Sequence, residues 1–130
     1  MARTDINPWE WSKAFGFSQA VEITGAERTL ICSGQTAVAE DGTPPTTADM
    51  GAQVEKAFQN LGAVLHAAGF AASDVVRVHY YTTEVDELIA VLGPRASSFF
   101  GANLPASTLL GVARLAFPQL KIEIEAVAVR

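Results

Sequence analysis

Cysteine is nearly absent. Cys32 stands alone among 130 residues, so no disulfide can form within the chain. The only histidines are His66 and His79, and no Cys/His grouping has metal-ligand spacing, so no metal site is expected. A lone thiol fits a reducing compartment, and the cytoplasm is the expected location. Long apolar runs are missing as well. None approaches the ~18 residues that suggest a membrane span, and the first residues, Met-Ala-Arg-Thr-Asp-Ile-Asn-Pro-Trp, hold no apolar stretch of signal-peptide length. Neither a membrane partner nor export is expected. Basic charge is sparse: nine Lys and Arg against fourteen Asp and Glu leave a net charge of -5, and the nine are scattered. General nucleic-acid binders need clustered cations to neutralise phosphates, so nucleic acid is not an expected partner.

What is present describes one globular domain. Hydrophobic residues make up 49% and charged residues 18%, enough apolar surface to close a core. No repeat or linker divides the chain, so residues 1–130 read as a single domain with an extended N-terminal arm over 1–14. Phe17 to Ile23 reads as a strand, and Gly25-Ala26-Glu27 as a turn into a second strand over Thr29 to Cys32. Glu40 to Pro45 is a loop by its turn chemistry. Thr46 to Gly69 predicts a helix, capped by Thr47 or Asp49, with Met50, Val54, Phe58, Leu61 and Leu65 forming one apolar stripe. Gly69 suits a left-handed C-terminal cap. Asp74 to Thr82 reads as a strand. Val85 to Phe100 reads as a second helix that Gly93-Pro94 breaks or kinks. Strands over Ser107 to Leu115 and Leu120 to Arg130 finish the chain, giving the order β-β-α-β-α-β-β. This is an α+β pattern, with two helices on one face of a mixed sheet.

The last strand bears on assembly. Ile122, Ile124, Ala126 and Ala128 alternate with Glu123, Glu125, Val127 and Val129, so its second face begins acidic and ends apolar. Two helices cannot cover both faces of the sheet, and a partner subunit is expected over part of the second.

Several segments, in order, resemble the Rid/YjgF family of reactive-intermediate deaminases. They are Phe-Ser-Gln-Ala-Val (17–21), Cys-Ser-Gly-Gln (32–35), the helical run 59–69, Asp-Val-Val-Arg (74–77), Gly-Val-Ala-Arg-Leu (111–115) and Lys-Ile-Glu-Ile-Glu-Ala-Val-Ala-Val (121–129). The resemblance extends over about Phe15 to Arg130. It implies a chorismate-mutase-like fold and a homotrimer with sheets inward, helices outward and small-molecule clefts between subunits. It also implies hydrolysis of enamines or imines to 2-oxo acids and ammonia, with no cofactor or metal.

Carried residue by residue, the family pattern is only partly met. The glutamate that positions water is Glu123, and the Ser-Gly turn that lines the pocket is Ser33-Gly34. Ser107 stands where the family has a carboxylate-binding arginine, Phe17 where it has a tyrosine, and Gly93 where it has an asparagine. A hydrogen bond to a charged group is worth roughly 1.5–3 kcal/mol, so losing the arginine weakens carboxylate binding by about ten- to a hundred-fold. The pocket therefore reads as adapted to something other than a simple 2-imino acid.

Two readings follow. One is a divergent deaminase-type hydrolase with Glu123 catalytic and Ser33, Gly34, Phe17 and Ser107 around the substrate. The alternative is a non-catalytic trimeric protein that binds or regulates through the same cleft. RNA cleavage, an activity sometimes attached to the family, fits the acidic balance poorly. Glu125 is expected to be structural, and Arg77, His79 and Tyr81 form a polar-aromatic strand face. Ser107 and Thr108 have no base beside them in sequence. Arg114 is expected in an ion pair or a subunit contact, Arg95 could reach towards a cleft, and Trp9 and Trp11 are expected to anchor the arm against the core, the alternative being that they fold over the cleft mouth.

Overall fold

The computed structural model describes all of residues 1–130. The apolar stripe becomes helix α2, Met50–Ala67, with Met50, Val54, Phe58, Leu61 and Leu65 each no more than 4% exposed. The helix starts four residues later than the sequence suggests, because Asp49 is its cap. Asp49 is extended (ψ 118°), and its carboxylate accepts from the Ala52 N–H at 2.9 Å. Thr47 instead accepts from the Asp49 N–H. At the other end Gly69 adopts φ +77°, and the Phe70 N–H returns to the Leu65 carbonyl at 2.9 Å.

Helix α3 spans Val85–Phe100, with the expected bounds, and runs through Pro94 as one element. Pro94 therefore does not break it. The Arg95 guanidinium donates to the Val91 carbonyl at 3.0 Å, next to the turn where proline removes a backbone donor. Burial of Leu88, Leu92, Ala96 and Phe100 holds the helix on both sides of that turn.

These helices cover one face of a four-stranded sheet formed by β3 (Thr29–Ile31), β4 (Val75–Thr82), β5 (Ala106–Gly111) and β6 (Ile122–Val129). The spatial order is β3-β6-β4-β5; β4 and β5 run parallel, and the other pairs are antiparallel. The last two strands are thus separated by β4 instead of pairing around the Phe117-Pro118 turn. Val78 and Tyr80 of β4 and Ile122, Ile124, Ala126 and Ala128 of β6 enter the core with the helices. Arg77, His79, Tyr81, Glu123, Glu125 and Val127 alternate onto the other face, which this chain leaves open. Ile31 is 79% exposed beside it.

The N-terminal segment differs from the expected arm. Ala2–Ile6 is a strand, β1, pairing antiparallel with β2, Ala20–Thr24, and Trp11–Ala14 forms a short helix, α1. The strand β2 pairs with β1 and not with β3. The sequence Ala-Arg-Thr-Asp-Ile gives no buried alternation. The strand is tied down instead by Arg3, whose guanidinium donates to the carbonyls of Ser73, Val75 and Leu104, each at 3.0 Å. A bridge between Ser18 and Ala106 attaches this hairpin to the free edge of β5. No helix is long and apolar enough to cross a membrane.

Candidate functional site

Where α1, α3 and the β4–β5 edge meet, they enclose a cavity of about 440 Å³. Phe17 and Ser107, two of the sequence candidates, both line it. Trp11 forms an aromatic wall with Phe15 and Phe17, touching them edge-on at centroid distances of 6.1 and 5.7 Å. Leu92 and Leu109 close further sides. The tryptophans are not core anchors: Trp9 is 59% exposed and Trp11 55%, and Trp11 flanks the cavity.

Two glycines permit this closure. A Cβ on Gly93 would lie 2.8 Å from the Ala14 carbonyl oxygen, and one on Gly16 would lie 2.8 Å from the Ala96 Cβ. Gly16 also has φ +78°, which side chains rarely adopt. The backbone after α1 can therefore lie directly on α3.

Tyr80 is a further residue of these walls, with its hydroxyl closed off from solvent. It is 2% exposed, it lines the cavity, and its hydroxyl has no hydrogen-bond partner within the chain. A buried, unpaired donor of this kind costs about 1–3 kcal/mol. Burial also pushes its pKa well above the ordinary value, which keeps the phenol a donor.

Glu123, Ser33 and Gly34 form a separate group. The segment after β3 runs along β6, with the Cys32 N–H donating to Ala126 (2.9 Å), the Gln35 N–H to Ile124 (2.7 Å) and the Ile124 N–H back to Gln35 (2.8 Å). This brings Gly34 against Glu123: a Cβ on residue 34 would lie 2.5 Å from the Glu123 Cδ and Oε2. Ser33 is exposed beside them.

The two groups lie on opposite sides of the sheet. Ser107 is in register with buried Val78, on the helix side, whereas Glu123 is in register with Tyr81, on the open side. A single chain does not present the five candidates to one ligand.

The open face also carries a connected polar network. Glu125 Oε1 accepts from the Tyr81 hydroxyl at 2.6 Å and contacts His79 Nδ1 at 2.7 Å, while Arg77 donates to His79 Nε2 from Nε (3.0 Å) and lies 2.7 Å away through Nη2. A guanidinium can only donate, so Nε2 accepts and the ring proton sits on Nδ1, directed at Glu125. The Tyr81 and His79 bonds hold the Glu125 carboxyl below the ordinary carboxylate value. Thr108 lies opposite His79 across β4–β5. With both ring nitrogens engaged, His79 is not a free base for it.

Arg95 does not reach the cavity. It lies over α2, 3.4 Å from Glu55, beside an open groove of about 520 Å³ between the helices. Arg114 is exposed and takes no part in the chain's six ion pairs. Sequence reasoning missed two residues that matter more. Tyr80 was readable as an inward residue from its alternation with Val78 and Thr82, but its orphan hydroxyl was not. Gln53, fully buried in α2, donates to the carbonyls of Thr47 and Gln119 (both 2.9 Å) and accepts from the Lys121 N–H (2.8 Å). It fixes the entry to β6, two residues before Glu123.

Comparison with known proteins places this geometry in context. Residues 10–130 match the protein-family model described as Endoribonuclease L-PSP. The chain is 35% identical over 130 residues to Protein DfrA of Myxococcus xanthus, covering 99% of this chain and 97% of that protein. It is 35% identical over 104 residues to the 2-iminobutanoate/2-iminopropanoate deaminase of Escherichia coli K12, covering 78% and 79% of the two chains. Among solved structures, the Rid-family protein YyfB of Yersinia pestis, of unknown function, superposes with a TM-score of 0.90 at 37% identity over the whole of both chains. Rv2704 of Mycobacterium tuberculosis, of the YjgF/YER057c/UK114 family, gives 0.68 at 28% identity, covering 99% and 100%. Matching sequence over nearly its whole length and sharing the α+β, chorismate-mutase-like fold, the chain belongs to the Rid/YjgF family.

Proposed function

We propose that this protein is a divergent hydrolase of the deaminase type, acting on an imine, enamine or related metabolite in clefts between the subunits of a homotrimer. One observation carries the reading. Glu123 with Ser33-Gly34, and the cavity with Phe17 and Ser107, lie on opposite faces of one sheet, and we read them as two halves of one site. A second copy laid against the first can bring the halves together, and the open face of the sheet supplies a surface for it. The 35% identity to a 2-iminobutanoate/2-iminopropanoate deaminase supports the reaction class.

In such a cleft Glu123 of the partner subunit takes a proton from water as the water oxygen bonds to the imine carbon. The C=N π pair moves to nitrogen, which takes that proton from Glu123 to give a carbinolamine. The carboxylate then takes the hydroxyl proton and passes it to nitrogen, the C–N bond breaks with its electrons going to nitrogen, and a carbonyl compound and ammonia depart. Glu123 returns to its starting carboxylate, and an enamine enters by first tautomerising to the imine. Neither oxidant nor reductant is needed. With a net charge of -5, the chain offers little to RNA phosphates, and the ribonuclease description of the family is not extended to it.

The test follows imine loss after two generating reactions. A lyase releases 2-aminoacrylate, and an amine oxidase releases an imine without a carboxylate. Acceleration of either hydrolysis that disappears in Glu123→Gln supports the reading. Acceleration unchanged in that variant removes Glu123 from the mechanism. Ligand binding with no acceleration of either substrate favours the non-catalytic alternative. Sedimentation at micromolar concentration checks the trimer, and a monomer there removes the shared cleft.

A further inference from the structure

We infer that the cleft takes an imine, and releases a ketone or aldehyde, with an apolar, ring-sized body and no carboxylate, and that the Tyr80 and Ser107 hydroxyls serve as its polar contacts. The chemical step rests on the hydrolase reading above; the binding preference does not.

This chain's own walls offer a carboxylate no partner: no Lys, Arg or His lines the cavity. An ionised carboxylate seated among them would lose its water without meeting a cation from these walls, a costly exchange. Size points the same way. In the single chain the space is about 440 Å³, within the roughly 300–1,000 Å³ of pockets that take drug-sized ligands and roomy for a three- or four-carbon imino acid.

The wall chemistry also favours this substrate. Trp11, Phe15 and Phe17 present aromatic surface to a ring, and such surface attracts a cation, which a protonated imine without a carboxylate is. Tyr80 and Ser107 stand on the paired strands β4 and β5, on the same helix-side face: Val78 registers with Ser107 and Tyr80 with Leu109. The Tyr80 hydroxyl has no partner in the chain. A ligand nitrogen or oxygen would complete it, and selection then comes from this tyrosine as well as from the serine at 107.

The experiment is a calorimetric titration of the intact protein with two matched, unreactive product analogues, 4-phenyl-2-butanone and 2-oxo-4-phenylbutanoate. They share a body and differ by methyl against carboxylate. The ketone should bind at least about tenfold more tightly. Tyr80→Phe, which removes one oxygen from a group lacking a partner, should melt at or above the wild-type temperature and weaken ketone binding about fivefold, the worth of one neutral hydrogen bond. Ser107→Arg should reverse the order of the two ligands. Equal or tighter binding of the keto acid by the wild type, or ketone binding unchanged in Tyr80→Phe, overturns the inference. Because neither analogue is hydrolysed, ketone binding without turnover defeats only the hydrolase reading. Turnover of 2-aminoacrylate with no ketone binding defeats only this one.

Discussion

Gly34 and Glu123 fit together because residue 34 has no side chain: a Cβ there would stand 2.5 Å from the Glu123 Cδ and Oε2. The atoms it would strike are the far end of a flexible side chain, so the carboxylate can move aside while the backbone stays. Gly34→Ala should therefore keep its melting temperature within a few degrees, about the shift expected for a change under 1 kcal/mol. Its imine hydrolysis should fall by at least about tenfold, since small misplacements of a reacting group are costly. Full activity in this variant would detach Glu123 from the reaction.

Gln53 should matter for stability more than its place in a helix suggests. Gln53→Ala leaves the Thr47 and Gln119 carbonyls and the Lys121 N–H without partners. With each orphaned group costing about 1 kcal/mol or more, a loss of about 3 kcal/mol is expected, read from the midpoint of urea unfolding. A loss below about 1 kcal/mol would mean that water replaces all three bonds.

Arg3 should decide whether the N-terminal hairpin stays docked. Arg3→Ala frees the carbonyls of Ser73, Val75 and Leu104, which partial exposure lets water reach. A loss of about 1–2 kcal/mol is expected. Amide exchange in β1 and β2 should accelerate more than in β6; equal protection in wild type and variant would refute the clamp.

The Glu125–Tyr81 bond makes stability depend on pH at both ends. Glu125 lies below its ordinary 4.5, through the Tyr81 hydroxyl first and His79 second. The unfolded chain takes up that proton more readily, so this contribution is complete above about pH 4.5 and is lost as pH falls towards the native value. Tyr81 lies above its ordinary 10.0, chiefly through its bond to Glu125. The native state keeps that proton longer, so its contribution holds below pH 10 and declines above it. Tyr80 and Cys32, both raised by burial, add to the alkaline decline. Melting temperatures followed against pH should fall less steeply on both sides in Tyr81→Phe. Unchanged slopes would remove the bond from the account.

Much of the fold was legible because its signals are local. The apolar period from Met50 to Leu65, the Asp49 cap and the left-handed Gly69 fix α2 within one segment of chain. The alternation of Ile122 to Ala128 fixes which face of β6 is buried. Strand β1 was not legible, because Arg3 holds it through three carbonyls that lie 70, 72 and 101 residues away in sequence. Phe17 and Ser107 were placed as candidates by resemblance, and their common cavity depends on Gly16 and Gly93 letting α1 meet α3. That close approach is a property of two distant segments, which no short pattern records. Tyr80 was hidden for another reason. Its strand position shows that it points inward, but a missing partner is visible only when every neighbour is in place.

The contact between Gly93 and Ala14 also bears on how this cleft could change over evolutionary time. The family pattern has an asparagine at 93, yet even a methyl group there would collide with the Ala14 carbonyl at 2.8 Å. In this chain a side chain at 93 requires the N-terminal turn to withdraw from α3 first. Withdrawal would open the aromatic wall that Trp11, Phe15 and Phe17 build, so the family asparagine and this wall are alternatives at one place.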